Sequence, residues 1–220
     1  MNYTLNPEAA KAADTMNGRI DETGKYIGVF TRSESVESNK GTIGIDLSFK
    51  SNDGPTADYL SLWTQNKDGK EIYGFKVLMA VMTCMRTKTL TKTRGSVEKY
   101  DQDQQKRVTV SADIYPELMD KPIGLLLQRE EYIKGNGTVG AKMNIVGAFD
   151  PETEMTASEI LGKKTKPELL ERMVAGLNDK SLPSSSKSHG NNSLPPHESV
   201  PHGGDFGQDD IPFAAVDWRF

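Results

Sequence analysis

The sequence predicts a mainly β domain, an antiparallel barrel with one inserted helix, followed by a disordered acidic tail. Three observations predict it. Apolar residues between Tyr26 and Thr64 alternate with a period of two in three short runs separated by turn residues. One stretch, 72–85, switches to apolar spacings of three and four. After Asn178 the composition turns to Ser, Pro, Asn, His and Gly, which cannot bury enough apolar surface to fold. With 220 residues, 35% hydrophobic and 26% charged, the chain divides into a domain at 1–178, a linker at 179–204 and an acidic segment at 205–220.

The elements follow in order. Residues 1–23 hold helix formers but few large apolar groups, so a loose arm or short helix is expected. Tyr26 to Thr31, Thr42 to Phe49 and Tyr59 to Thr64 read as a three-stranded meander, with turns at Asn39-Lys40-Gly41 and at Asn52-Asp53-Gly54-Pro55. In the helix that follows, Phe75, Leu78, Met79 and Met82 share the face expected to pack on the sheet. Arg86 to Gly95 is a threonine-rich loop with four bases and no acid. Strands are expected at 106–115, 123–133 and 141–149, and a helix at 165–177 with Thr165 as its N-cap. Five or six short strands with a helix after the third match an OB-fold, a Greek-key barrel that grips oligonucleotides on its outer face.

Enzyme chemistry finds no constellation here. All three histidines (His189, His197, His202) fall in the linker, and the single Cys84 sits in an apolar run that predicts burial. One cysteine and no imidazole leave the domain no zinc-type metal site, and no cofactor site is expected. Gly135-Asn136-Gly137-Thr138-Val139-Gly140 satisfies G-x-G-x-x-G, but an alternating run follows where a dinucleotide site needs a helix, so it reads as a hairpin turn. Glu130 and Glu131, as strand neighbours, point to opposite faces. No run of about eighteen apolar residues exists and residues 1–17 lack a signal-peptide centre, so a cytoplasmic location away from membranes is expected. Net charge is -4; residues 179–220 carry six acids and three bases, leaving the domain at -1. Any affinity for phosphates must therefore come from local clustering of bases.

Such clustering is present. In the first strand Ile27 and Val29 share one face and Tyr26, Phe30 and Arg32 the other; in the third, Leu60 and Leu62 share one face and Tyr59 and Trp63 the other. Aliphatics on one side and aromatics on the other make a base-stacking platform from Tyr26, Phe30, Tyr59 and Trp63. Arg32, Arg86, Lys88, Lys92, Arg94, Lys106 and Arg107 are the candidate phosphate contacts.

The tail ends in Asp209-Asp210-Ile211-Pro212-Phe213, acids beside a short apolar cluster suited to capture by another protein. At the end of a Gly/Pro/Ser-rich linker, this pentapeptide resembles the C-terminal tip of bacterial and phage single-stranded DNA-binding proteins. The resemblance implies sequence-independent coating of single-stranded DNA in replication, recombination or repair, inside a bacterial cell or a phage-infected host. The tip would recruit partner enzymes, Asp209 and Asp210 steering it to a basic patch and Ile211, Pro212 and Phe213 filling an apolar pocket. In that family the tip ends the chain, whereas Ala214 to Phe220 follow it here; either partners tolerate the extension or the terminal Asp217-Trp218-Arg219-Phe220 serves instead. The Gly24-Lys25-Tyr26 start and the strand, Lys67-Asp68-Gly69, helix order resemble the divergent phage-encoded members. A single-strand annealing recombination protein and an adaptor that binds no DNA are the alternatives, and homo-oligomers are compatible with all three.

Overall fold

The computed structural model describes residues 4–5, 7, 18–101 and 105–182, with 100 and 101 described by their backbone. Most of the N-terminal arm, the linker beyond Leu182 and the acidic segment with Asp209 to Phe213 lie outside the described residues.

Strands β1 (Gly24–Glu37), β2 (Ile43–Ser51) and β3 (Thr56–Gln65) form the expected antiparallel meander. Helix α1 (Tyr73–Cys84) follows, then a hairpin of β4 (Thr93–Asp101) and β5 (Lys106–Ile114). A 3-10 turn at Pro116–Leu118 leads to β6 (Pro122–Ile133) and β7 (Val139–Phe149), and two short helices, α2 (Ala157–Leu161) and α3 (Leu170–Ala175), close the order. β1 divides its second edge between two partners: Gly24 to Val29 pair with β6, and Glu34 pairs with Ile114 of β5. The seven strands thus form one antiparallel sheet, β3-β2-β1-β5-β4, with β6 and β7 branching from β1. β3 touches β7, and α1 packs on both strands, so β3-β2-β1-β6-β7 curls around one core. Gly74 permits this contact, because a Cβ there would lie 2.1 Å from the carbonyl oxygen of Trp63. The turn between β6 and β7 has Gly137 at φ +81°, as the hairpin reading of the glycine run requires.

The core holds Phe30, Leu47, Phe49, Leu60, Val81, Leu118, Ile123, Leu125 and Leu127, all buried. Phe30 corrects the expected stacking platform. It is fully buried and meets Phe49 edge to face at 5.9 Å, and Tyr26 packs half-buried against the same cluster. The cause is a β-bulge between Phe30 and Arg32, which reverses the parity of β1. Before it Tyr26, Gly28 and Phe30 face inward; after it Ser33 does, while Arg32 and Glu34 face out. Ile27, expected inside, packs instead with Leu126, Phe149 and Leu170 beneath α3. The buried face of α1 is Val77, Leu78, Val81 and Cys84, turned from the expected face, and Met79 is exposed.

Ser33 is wholly buried and its hydroxyl has no partner among the described residues. An unbonded hydroxyl in an apolar core is a cost, so Ser33→Ala is expected to leave stability unchanged or raise it by about 1 kcal/mol. A loss of more than that in urea unfolding would show that the hydroxyl is bonded.

The last helix is shorter than expected and Thr165 does not cap it. The carboxylate of Glu159, buried in the first turn of α2, draws in the N–H groups of Glu168 (2.6 Å) and Leu169 (2.9 Å) as well as the N–H and hydroxyl of Thr156 (both 2.8 Å). It closes a capping box with Thr156 at the start of α2 and ties that helix to Glu168 and Leu169, just ahead of α3, whose own N-cap position is Leu169 with no side-chain cap. Burial raises the Glu159 carboxyl, but these four donors outweigh it and hold it at about 2 against an ordinary 4.5. Its contribution is complete above pH 4.5 and is lost as pH falls from 4.5 towards 2. Glu159→Gln is expected to cost about 2 kcal/mol at pH 7 and to flatten the fall in Tm between pH 5 and 3, read by calorimetry. An unchanged acid profile would contradict the assignment.

The body also extends past the expected end at 178. Lys180 donates its N–H to the carbonyl of Arg129 and accepts from the N–H of Glu131 (both 2.9 Å), laying residues 179–182 along β6.

Candidate nucleic-acid interface

The outward faces of β1, β2 and β3 carry a polar ladder in place of aliphatic residues. Arg32 is buried at its centre. Its Nη1 donates to Glu34 Oε2 (3.1 Å), Nη2 to Asp46 Oδ2 (2.5 Å) and Nε to Ser48 Oγ (3.1 Å). Ser61 Oγ donates to the other Asp46 oxygen (2.7 Å), and Lys99 Nζ reaches from β4 to Glu34 Oε1 (2.7 Å). Two cations and two carboxylates leave the cluster neutral. The geometry speaks against the expected phosphate contact at Arg32, because each nitrogen of its buried guanidinium already donates to a neighbouring side chain.

Tyr59 and Trp63 stand on this ladder. Tyr59 is 55% exposed, with its ring 5.4 Å from the Arg32 guanidinium carbon. Its φ of +60° is unusual for a bulky residue and falls where β3 bulges, between the Leu47–Leu60 and Phe49–Ala57 pairs. Backbone strain of this kind costs of order 1–3 kcal/mol and concentrates at functional sites. Trp63 is half-buried, belongs to neither apolar cluster and leans on Gly44, where a Cβ would lie 2.9 Å from the indole Cε3. Four residues of strand separate the rings by roughly 13 Å.

The expected cations do not form one groove. Arg107 reaches from β5 to Asp58, next to Tyr59 (Nη2 to Oδ2, 3.5 Å), and Lys106 precedes it. Arg94 stands near the opposite end of the hairpin, six residues along the ladder, and bonds Ser111 (2.9 Å) and Asp113 (3.2 Å). Arg86 follows α1 and bonds Asp150 (3.2 Å), with Lys88 and Lys92 in the connection to β4. Burial raises the Asp150 carboxyl, yet the N–H of Glu152 and the Arg86 guanidinium bring it below its ordinary value. All four candidate arginines are thus ion-paired, whereas the exposed Lys88, Lys92 and Lys106 make no ion pair with a described residue.

The reading from sequence missed Glu34, Asp46, Asp58, Ser61 and Lys99. Asp46 and Ser48, alternating with Ile45, Leu47 and Phe49 in β2, were the available signal. Cys84 is buried, and burial, then the Asp150 carboxylate, pushes its thiol up to about 12, which leaves it protonated at neutral pH. No helix among the described residues is long and apolar enough to cross a membrane. No protein-family model and no curated protein matches the chain.

Proposed function

We propose that this protein binds single-stranded DNA without sequence preference, coats it during phage or bacterial replication, recombination or repair, and recruits partner enzymes through residues 205–220. The observation that carries the reading is the pair Tyr59 and Trp63, held outside the core, the first at a strained backbone position over a buried guanidinium. A base has a π-face whatever its identity, so such rings bind unpaired strands without reading them. Duplex DNA keeps those faces stacked and withholds them. The path β3-β2-β1-β6-β7, with α1 between β3 and β6 and contact between β3 and β7, supports an OB barrel whose ligand face is the outer side of β2 and β3. The resemblance of Asp209 to Phe213 to the tips of such proteins supports recruitment.

A labelled 20-mer of deoxythymidine, followed by anisotropy, is expected to bind at least tenfold more tightly than a duplex of equal length. Equal affinities, or none, would contradict the proposal. One observation favours an adaptor that binds protein alone: all four candidate arginines are already neutralised by carboxylates. The same titration separates the two.

Asp58 bears on this site directly, because its carboxylate occupies Arg107 beside the Tyr59 ring. The pair is largely exposed and correspondingly weak. Asp58→Asn is expected to raise affinity for oligo-dT at low salt by roughly 2- to 5-fold and to steepen the dependence on salt by about 0.7 in log–log slope. A fall in affinity would mean that Asp58 positions Arg107 productively.

A further inference from the structure

We infer that the free edge of β4 is a self-complementary surface through which two copies of this chain pair antiparallel. β4 ends the sheet path β3-β2-β1-β5-β4. Its nine residues pair with β5 in unbroken register, from Thr93 opposite Ile114 to Asp101 opposite Lys106, and no described residue outside β5 bonds to its backbone. Such an edge is a template for another strand unless a bulge, a proline or a cover blunts it. β4 has neither proline nor bulge. β5 meets β1 only at its end, where Ile114 pairs with Glu34 and Tyr115 donates to the carbonyl of Ser33.

The side chains specify the partner. Arg94, Ser96 and Glu98 share the exposed face of β4, while Gly95, Val97 and Lys99 face the body, with Val97 buried and Lys99 bonded to Glu34. When a second copy is laid antiparallel with Ser96 opposite Ser96, Arg94 falls opposite Glu98 and Glu98 opposite Arg94. Each arginine then stands between Asp113 of its own β5, which it already bonds, and a carboxylate of the other copy. Gly95 meets Val97 on the inner face without crowding. Opposite charges directly across strands stabilise a pairing and like charges oppose it. A two-fold axis through Ser96 makes the contact isologous, so it closes at a dimer. About seven paired residues bury less than a standard interface, which places the association in the micromolar range.

The test uses the full chain in sedimentation velocity from about 5 to 200 µM. The wild type is expected to shift from monomer to dimer across that range. Arg94→Glu and Glu98→Arg should each remain monomeric, since each sets like charges across the axis. An equimolar mixture of the two variants should dimerise again, because the first then presents acids at both positions and the second presents bases at both. Hydrogen exchange on the wild type should show the β4 amides slowing as concentration rises, a readout that holds even if a variant folds poorly. A wild type that stays monomeric, or a dimer that both single variants retain, would overturn the inference, and neither result bears on oligo-dT binding.

Discussion

Replacing Tyr59 or Trp63 by alanine is expected to weaken oligo-dT binding by about 1 to 3 kcal/mol each, roughly 5- to 150-fold, with little change in Tm. The two rings belong to neither apolar cluster, so their removal opens no cavity in the core. Tyr59→Ala also leaves an alanine at φ +60°, still strained but no longer stacked on Arg32. Tyr59→Phe keeps the ring and should stay within about twofold of wild type, because stacking does not use the phenol oxygen. Phe30→Ala supplies the contrast. It removes a fully buried ring and should cost about 3–5 kcal/mol of stability, so any effect on binding would come through unfolding. Equal binding by wild type and Tyr59→Ala/Trp63→Ala would remove the stacking role altogether.

Arg32→Ala is expected to lower the unfolding free energy by about 3–5 kcal/mol, since it strands the Glu34 and Asp46 carboxylates beneath the surface. Lys99 retains one of them and Ser61 the other, which sets the loss nearer the lower figure. The consequence reaches the interface, because the Tyr59 ring rests on this guanidinium. Urea unfolding of the variant measures the first effect. A stability loss under about 1 kcal/mol together with a shallower salt dependence of oligo-dT binding would return Arg32 to the phosphate contacts.

Much of the architecture is legible in the sequence because it rests on periodicity. The meander, α1 and the β6–β7 hairpin follow from spacings of two, then three and four, and from glycine at the turns. What the sequence hides rests on single residues or on distant ones. The bulge in β1 inserts one unpaired residue, Thr31, and no composition marks it; yet it sends Phe30 inward and puts Arg32 into an ion-pair cluster. Only Thr93 to Gly95 of β4 fall in the run that reads as a threonine-rich loop, and among its described side chains Val97 alone is buried and apolar, too little for a period of two to show. The expected Thr165 cap is absent because the helix begins only at Leu170, after a segment that a carboxylate from α2 holds by the N–H groups of Glu168 and Leu169. Of the candidate site, Tyr59 and Trp63 lie opposite the buried Leu60 and Leu62, as the alternation predicts. The cations read as one groove because sequence gives their sign and not their partners. Asp58, Asp113 and Asp150 each take an arginine that the sequence alone leaves unpaired.

The most direct test follows the fluorescence of Trp63 in the full chain carrying Trp218→Phe, titrated with oligo-dT at two salt concentrations. Bases stacked on the β3 face should quench the indole, and contact by Lys88, Lys92 and Lys106 should give a log–log salt slope of about −2. Binding with no change in Trp63 emission, or no binding at low salt, would contradict a single-strand interface on this face.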